Sequence, residues 1–94
     1  MASYLVGVVK KHDFEKYGEY AAAGFRLIDG VEVEVAFAED PEVLEEEFPG
    51  TTIIIMKFAD DDGARNWYFS EGYQEVIPLR HAAADTVFNI TFMA

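Results

Sequence analysis

Two segments of the chain, Tyr4–Val9 and Thr51–Phe58, are apolar at most positions and rich in β-branched residues. Short runs of this composition are typical of β-strands. Successive side chains of a strand point to opposite faces of its sheet, so such strands need apolar neighbours on both faces. These two segments are therefore predicted to be the central strands of a sheet.

Two further segments predict the edge strands of the same sheet. Val31–Phe37 alternates apolar and acidic residues, and Thr86–Met93 alternates in a similar way. This period of two places the polar side chains on one face of the strand, and an edge strand can expose that face to water.

Two helical regions separate the strands. Phe14–Ile28 carries apolar residues at helical spacing, and Asp13 is predicted to cap its N-terminus. The second region opens at Asp60–Gly63 and breaks at Ser70, which is predicted to be a fresh N-cap. A second helical stretch then covers Glu71–Ala84.

The element order βαββαβ predicts an α+β fold for a single domain, 1–94. Right-handed crossovers place the helices on one face of a four-stranded antiparallel sheet, in the ferredoxin-like strand order 4-1-3-2. The other face of the central strands then stays uncovered, and each large apolar side chain left in water forfeits about 1.5–3 kcal/mol. A second copy packed on that face removes this cost, so a homodimer through the sheet is predicted.

The charge balance excludes several kinds of partner. The 94 residues include 7 Lys and Arg against 18 Asp and Glu, which gives a net charge of −11. Phosphate backbones and anionic lipid surfaces repel such a chain, so neither a nucleic acid nor a membrane is an expected partner. The absence of cysteine excludes disulfides and thiolate catalysis. No signal-peptide pattern or long apolar segment is apparent, which favours a cytoplasmic location.

The segment from Ala64 to Arg80 resembles a family signature. It follows the pattern Ala-Arg-x-Trp-Tyr-x-Ser-x-x-Tyr-Gln…Leu-Arg of domain-of-unknown-function family 1330, which belongs to the dimeric α/β-barrel superfamily. The residues that match are Ala64-Arg65, Trp67-Tyr68, Ser70, Tyr73-Gln74 and Leu79-Arg80, with Tyr17, Tyr20 and Val43-Leu44-Glu45 in support. The resemblance implies a dimeric α/β barrel and a homodimer, and it implies no particular reaction.

Two neighbouring side chains are the candidates for catalysis. His81 is a candidate general acid or base at the mouth of a pocket between helices and sheet, or simply a cation at a helix C-terminus. Arg80 can hold a substrate carboxylate with two parallel hydrogen bonds, or it can form an ion pair with one of the many acidic residues. His12, the other histidine, is predicted to lie in a surface loop.

Aromatic residues supply the remaining ligand-binding candidates. Aromatic side chains at helical spacing are usually part of the core. Tyr73 and Tyr20 can also hydrogen-bond an oxygen of a ligand, and Trp67 can form a wall of the pocket. The predicted ligand-binding residues are Tyr20, Trp67, Tyr73 and Arg80.

No metal or cofactor site is predicted. The acidic runs Glu45–Glu47 and Asp60–Asp62 lack the spacing of a calcium-binding loop. No glycine-rich phosphate loop or nucleophile elbow is apparent.

Two functions from different classes remain open. The first is binding of a small organic molecule, which can be anionic because Arg80 can bind a negative group. The second, implied by the superfamily, is a cofactor-free monooxygenase or isomerase that acts on a small aromatic or carbonyl substrate. His81 would then be the base, Arg80 the anion holder, and Trp67 and Tyr73 the walls. Haem degradation, with Asn66, Trp67 and His81, is a narrower version of this hypothesis.

Overall fold

A computed structural model describes residues 1–94 and contains four strands and three helices. In chain order they are β1 (Ser3–Lys11), α1 (Phe14–Arg26), β2 (Val33–Glu39), β3 (Thr52–Phe58), α2 (Gly63–Tyr68), α3 (Glu71–Ala83) and β4 (Ala84–Met93). The strands form one antiparallel sheet in the order β2-β3-β1-β4, which confirms the predicted ferredoxin-like arrangement. None of the three helices has the length and apolar character that crossing a membrane requires.

The strands are longer or shifted relative to the prediction because cross-strand pairing decides where they end. β1 continues past the predicted end at Val9 to Lys11, which pairs with Ala84, so Lys10 and Lys11 belong to the strand. β2 begins two residues later than expected and continues to Glu39, which pairs with Thr52. A sequence pattern shows apolar alternation, but it does not show which polar residues have a partner strand.

The predicted helix caps at Asp13 and Ser70 are confirmed. A carboxylate oxygen of Asp13 accepts a hydrogen bond from the Lys16 backbone nitrogen at 3.0 Å. The Ser70 hydroxyl accepts one from the Tyr73 backbone nitrogen at 3.3 Å, which separates α2 from α3. Asp62, the residue before α2, makes no capping hydrogen bond with its side chain.

The two faces of the sheet differ, as predicted. The helix-covered face holds two clusters of buried residues, which are Val9, Tyr17, Tyr20, Tyr73, Ala83 and Ala84, and Leu5, Met56, Phe58 and Ala64. The opposite face, here called the open face, carries Tyr4, Val6, Ile55, Phe88, Ile90 and Phe92. The Tyr4 and Phe92 rings stack there at 5.0 Å, and Ile90 and Phe92 are nearly half exposed. An apolar layer therefore lies in contact with solvent in the single chain.

Candidate ligand-binding site

A cavity of about 310 Å³ lies between α1 and the helix-covered face of β2 and β3. α1 packs against α3, and the space between α1 and the edge strand β2 stays open. The floor consists of Val35 on β2 with Ile54 and Met56 on β3. The cavity is therefore bounded by one helix on one side and by the two strands β2 and β3 on the other.

Three phenylalanines surround the cavity. Phe14 and Phe25 on α1 and Phe37 on β2 all line it, and they are 66, 55 and 64% exposed. Phe14 and Phe25 belong to the apolar residues at helical spacing from which α1 was predicted. Both lie on the correct face of the helix, but that face extends past the buried core and over the cavity.

One end of the cavity is polar. Lys11 and Glu39 line it and form an ion pair of 2.6 Å between Nζ and Oε1. The Lys11 ammonium also lies 4.4 Å from the centre of the Tyr17 ring, where a cation is attracted to the ring face. These are the only charged residues that line the cavity, and their charges cancel.

Behind the cavity wall, a buried arginine is linked to two phenols. Arg80 is 4% exposed and donates a hydrogen bond of 2.7 Å from Nη1 to the Tyr73 hydroxyl. The Tyr73 hydroxyl lies 2.6 Å from the Tyr20 hydroxyl. Arg80 forms no ion pair, so the alternative of an intramolecular salt bridge is wrong.

Two of the groups in this cluster have shifted titration behaviour. Burial raises the pKa of Tyr73, and the neighbouring Tyr20 raises it further. Burial opposes the charged form of Arg80, but Tyr73 and Tyr20 outweigh it and the pKa of the guanidinium is raised. At neutral pH the cluster therefore contains a cation and a protonated Tyr73 phenol.

Tyr17 is a second phenol on the same wall. It lies one turn before Tyr20 on α1, and the two ring centres are 5.3 Å apart. The Tyr17 hydroxyl is buried and has no hydrogen-bond partner in the protein. Burial, with a contribution from Tyr20, raises the pKa of Tyr17 to about 12, so this hydroxyl keeps its proton at neutral pH.

The predicted site residues fall into three positions. Tyr20 and Trp67 line the cavity. Tyr73 and Arg80 lie behind it, and the Trp67 ring packs 4.3 Å from that of Tyr73. His81 is exposed and does not line the cavity, although its Nε2 lies 3.5 Å from Nη2 of Arg80.

Tyr17, Lys11 and Glu39 are polar residues of the cavity that were not among the predicted site residues. Tyr17 had a sequence signal, because its spacing from Tyr20 places both on one helix face. Lys11 and Glu39 had none, since each belongs to a strand extension that only the sheet pairing reveals. No group of three His, Asp or Glu side chains is arranged to hold a metal ion.

Residues 2–93 match the family described as domain of unknown function DUF1330. The chain belongs to the DUF1330 family. This match covers the whole fold, including the segment from Ala64 to Arg80 on which the sequence resemblance rested. No curated protein shows significant sequence similarity to this DUF1330 chain.

Solved structures with the same fold have low sequence identity to this DUF1330 chain. SnoaB, a cofactor-independent oxygenase from Streptomyces nogalater, is 12% identical with a TM-score of 0.71, over 99% of this chain and 92% of its own. A dimeric ferredoxin-like protein of unknown function from Thermobifida fusca is 14% identical with a TM-score of 0.67, over 100% and 92%. A protein of the same description from Jannaschia sp. is 8% identical with a TM-score of 0.72, over 100% of both chains. At these identities the similarity shows the fold alone.

Proposed function

We propose that this DUF1330 protein binds a small organic molecule with an apolar body in the cavity between α1 and the sheet. The observation that supports this most is the cavity itself, with a volume of about 310 Å³ and a mostly apolar lining. Binding pockets for small molecules are typically of this size and combine apolar walls with a few polar groups. Here the polar groups are gathered at the end near Lys11 and Tyr17.

The predicted ligand-binding residues have different roles in this proposal. Trp67 and Tyr20 contact the ligand because they line the cavity. Tyr73 and Arg80 support Tyr20 from behind through their hydrogen bonds. Arg80 therefore acts on a ligand through two phenols and not by a direct bidentate contact.

A cavity-filling substitution tests the proposal. Gly24 lines the cavity, and a Cβ built on it meets no atom within 4 Å, so Gly24→Leu places a side chain in the open space. Ala22→Leu is the matched control, because Ala22 is an exposed residue of α1 outside the cavity.

The measurement is a thermal-shift screen of small aromatic and aliphatic compounds, followed by titration of the fluorescence of Trp67, the only tryptophan. We expect wild type and Ala22→Leu to bind the same compounds, and Gly24→Leu to lose them. If no compound shifts the wild-type melting temperature, or if Gly24→Leu binds as wild type does, the proposal fails.

We also propose that two copies associate through the open face. The large apolar side chains on this face support it, since their burial removes an unfavourable contact with water. Ile90→Lys, on the open face, is expected to give a monomer in analytical ultracentrifugation. Leu79→Lys, a similar change at a partly exposed site on α3, is expected to leave the dimer intact. A wild-type protein that sediments at 10.6 kDa at micromolar concentration would contradict the proposal.

A second candidate function is a cofactor-free monooxygenase or isomerase that acts on a small acidic aromatic or carbonyl compound. The link from Arg80 through Tyr73 to Tyr20 favours it, because it polarises the hydroxyl of a residue that lines the cavity. If His81 is the base, a proton has to pass from the cavity to His81 by way of Arg80, whose Nη2 lies 3.5 Å from His81 Nε2. The test is oxygen uptake and product analysis with acidic phenols and 1,3-dicarbonyls. If His81→Ala and Arg80→Ala both leave the turnover unchanged, this assignment is wrong.

A further inference from the structure

The cavity between α1 and the sheet is long in one direction. Phe14 and Phe25 lie near the two ends of α1, and both line the cavity. A helix rises about 1.5 Å per residue, so these two positions are about 16 Å apart along α1. On β2 the cavity extends from Val35 to Glu39, a strand distance of about 13 Å. The volume of about 310 Å³ is therefore spread along the helix.

Small residues form part of the helix side of the cavity between these ends. Gly18, Ala21 and Gly24 line it, and a Cβ built on either glycine meets no atom within 4 Å. Open space is therefore present both near the start of α1 and near its end.

The two ends of the cavity differ in polarity. At the end near Phe14, the Lys11 ammonium lies 2.6 Å from Glu39 and 5.8 Å from the centre of the Phe14 ring. The Glu39 side chain is 56% exposed, so its carboxylate can accept a further hydrogen bond. At the other end the lining residues Phe25 and Val35 are apolar. One end thus offers a polar pair without net charge, and the other end offers only apolar surface.

The aromatic side chains along the cavity are exposed in the single chain. Phe14, Phe25 and Phe37 all line the cavity, and more than half of each side chain is in contact with solvent. Single exposed apolar residues are common, but a group of them around one cavity is typical of a ligand-binding groove. A ligand that lies along α1 would cover these rings and remove their contact with water.

From this geometry we infer that the cavity binds an elongated, unbranched amphiphile. Its neutral polar end lies beside Lys11 and Glu39, and its apolar chain runs along α1 towards Phe25. The inference rests on the proposed function, since it names the ligand class of the same cavity. The polar end carries no net charge because the charges of Lys11 and Glu39 cancel.

A series of straight-chain alcohols tests this inference. The probes are 1-hexanol, 1-octanol and 1-decanol, and their affinities are measured by isothermal titration calorimetry at neutral pH. We expect the wild-type affinity to rise about fourfold with each methylene that enters the cavity, and to keep rising up to 1-decanol.

Two phenylalanine variants assign the chain-length effect to its place in the cavity. Phe25→Ala is expected to weaken the binding of 1-decanol about fivefold, because apolar contact is lost at the far end. The same variant is expected to bind 1-hexanol as wild type does, since a short chain held at the polar end does not reach Phe25. Phe69→Ala is the matched control, because Phe69 is 60% exposed and lies outside the cavity. It is expected to bind all three alcohols as wild type does.

The outcomes separate this inference from the proposed function. An affinity that stops rising at 1-hexanol would overturn the inference, and so would a Phe25→Ala protein that binds 1-decanol as wild type does or loses 1-hexanol equally. Each of these results leaves the proposed function standing. If no alcohol binds, the inference is overturned, and the proposed function is judged by the aromatic compounds of the thermal-shift screen and by Gly24→Leu.

Discussion

Replacing Tyr73 with phenylalanine removes a single oxygen atom from the most connected polar cluster of the protein. That oxygen accepts from Nη1 of Arg80 at 2.7 Å and lies 2.6 Å from the Tyr20 hydroxyl. A hydrogen bond to a charged group contributes about 1.5–3 kcal/mol and a neutral one about 0.5–1.5 kcal/mol. The loss is increased because Arg80 is buried and its Nε already lacks a partner. We therefore expect Tyr73→Phe to lower the free energy of unfolding by about 2–4 kcal/mol.

The assay is equilibrium unfolding in urea at one fixed protein concentration, since association makes the apparent stability depend on concentration. A domain of this length loses about 4–8 °C of melting temperature for each kcal/mol, so a thermal scan shows the same effect. Tyr4→Phe is the control, because the Tyr4 ring stacks on Phe92 and its hydroxyl makes no hydrogen bond within the protein.

The result that would refute this reasoning is a Tyr73→Phe protein as stable as wild type, with an effect no larger than that of Tyr4→Phe. Arg80 would then obtain its stabilisation from other contacts, and the link to Tyr20 would not be structural. A loss of more than about 5 kcal/mol would also disagree with the estimate, because single substitutions of that size point to a collapse of packing.

Further predictions concern stability and pH. Burial raises the pKa of Tyr17 from 10.0 to about 12, so the unfolded chain loses the Tyr17 proton at a lower pH than the folded protein does. The free energy of unfolding should therefore fall as the pH rises from 10.0 to about 12, and it should fall less steeply in Tyr17→Phe. Urea unfolding at a series of alkaline pH values measures this difference. Gly50→Ala should destabilise the fold, because the added Cβ would lie 2.6 Å from the Val9 carbonyl oxygen. Gly18→Ala should stabilise α1 by about 0.5–1 kcal/mol, because a Cβ added there has no atom within 4 Å. Thermal scans of both variants distinguish the two effects. Ser3→Ala should cost about 1–3 kcal/mol in urea unfolding, because the buried Ser3 hydroxyl accepts a hydrogen bond from the first turn of α2 at 3.0 Å.

Part of the candidate site could be predicted from local spacing. Tyr73 and Arg80 are seven residues apart on α3, two helical turns, and therefore share a face. Tyr17 and Tyr20 share a face of α1 for the same reason. The contact between Tyr20 and Tyr73 spans 53 residues of sequence, and no periodicity within either helix indicates it.

The absence of a carboxylate beside Arg80 could not be predicted. With 18 acidic residues in the chain, the composition favours an ion pair for Arg80. The buried surroundings of Arg80 include the phenols of Tyr20 and Tyr73, because the face of α3 that carries it packs against α1. Acidic residues are abundant in the sequence, but they lie on the outer surface and in the loop between β2 and β3.

The sequence by itself determined the order of the elements, the central position of β1 and β3 and the apolar open face. These properties follow from the alternation of apolar and polar residues and from the apolar content, both of which can be seen in each segment alone. Only the tertiary structure decided that α1 packs on α3 and that a cavity stays open between α1 and the sheet beside Tyr17 and Tyr20. How two helices share one sheet depends on side-chain contacts between segments far apart in the chain, and no local pattern records those contacts.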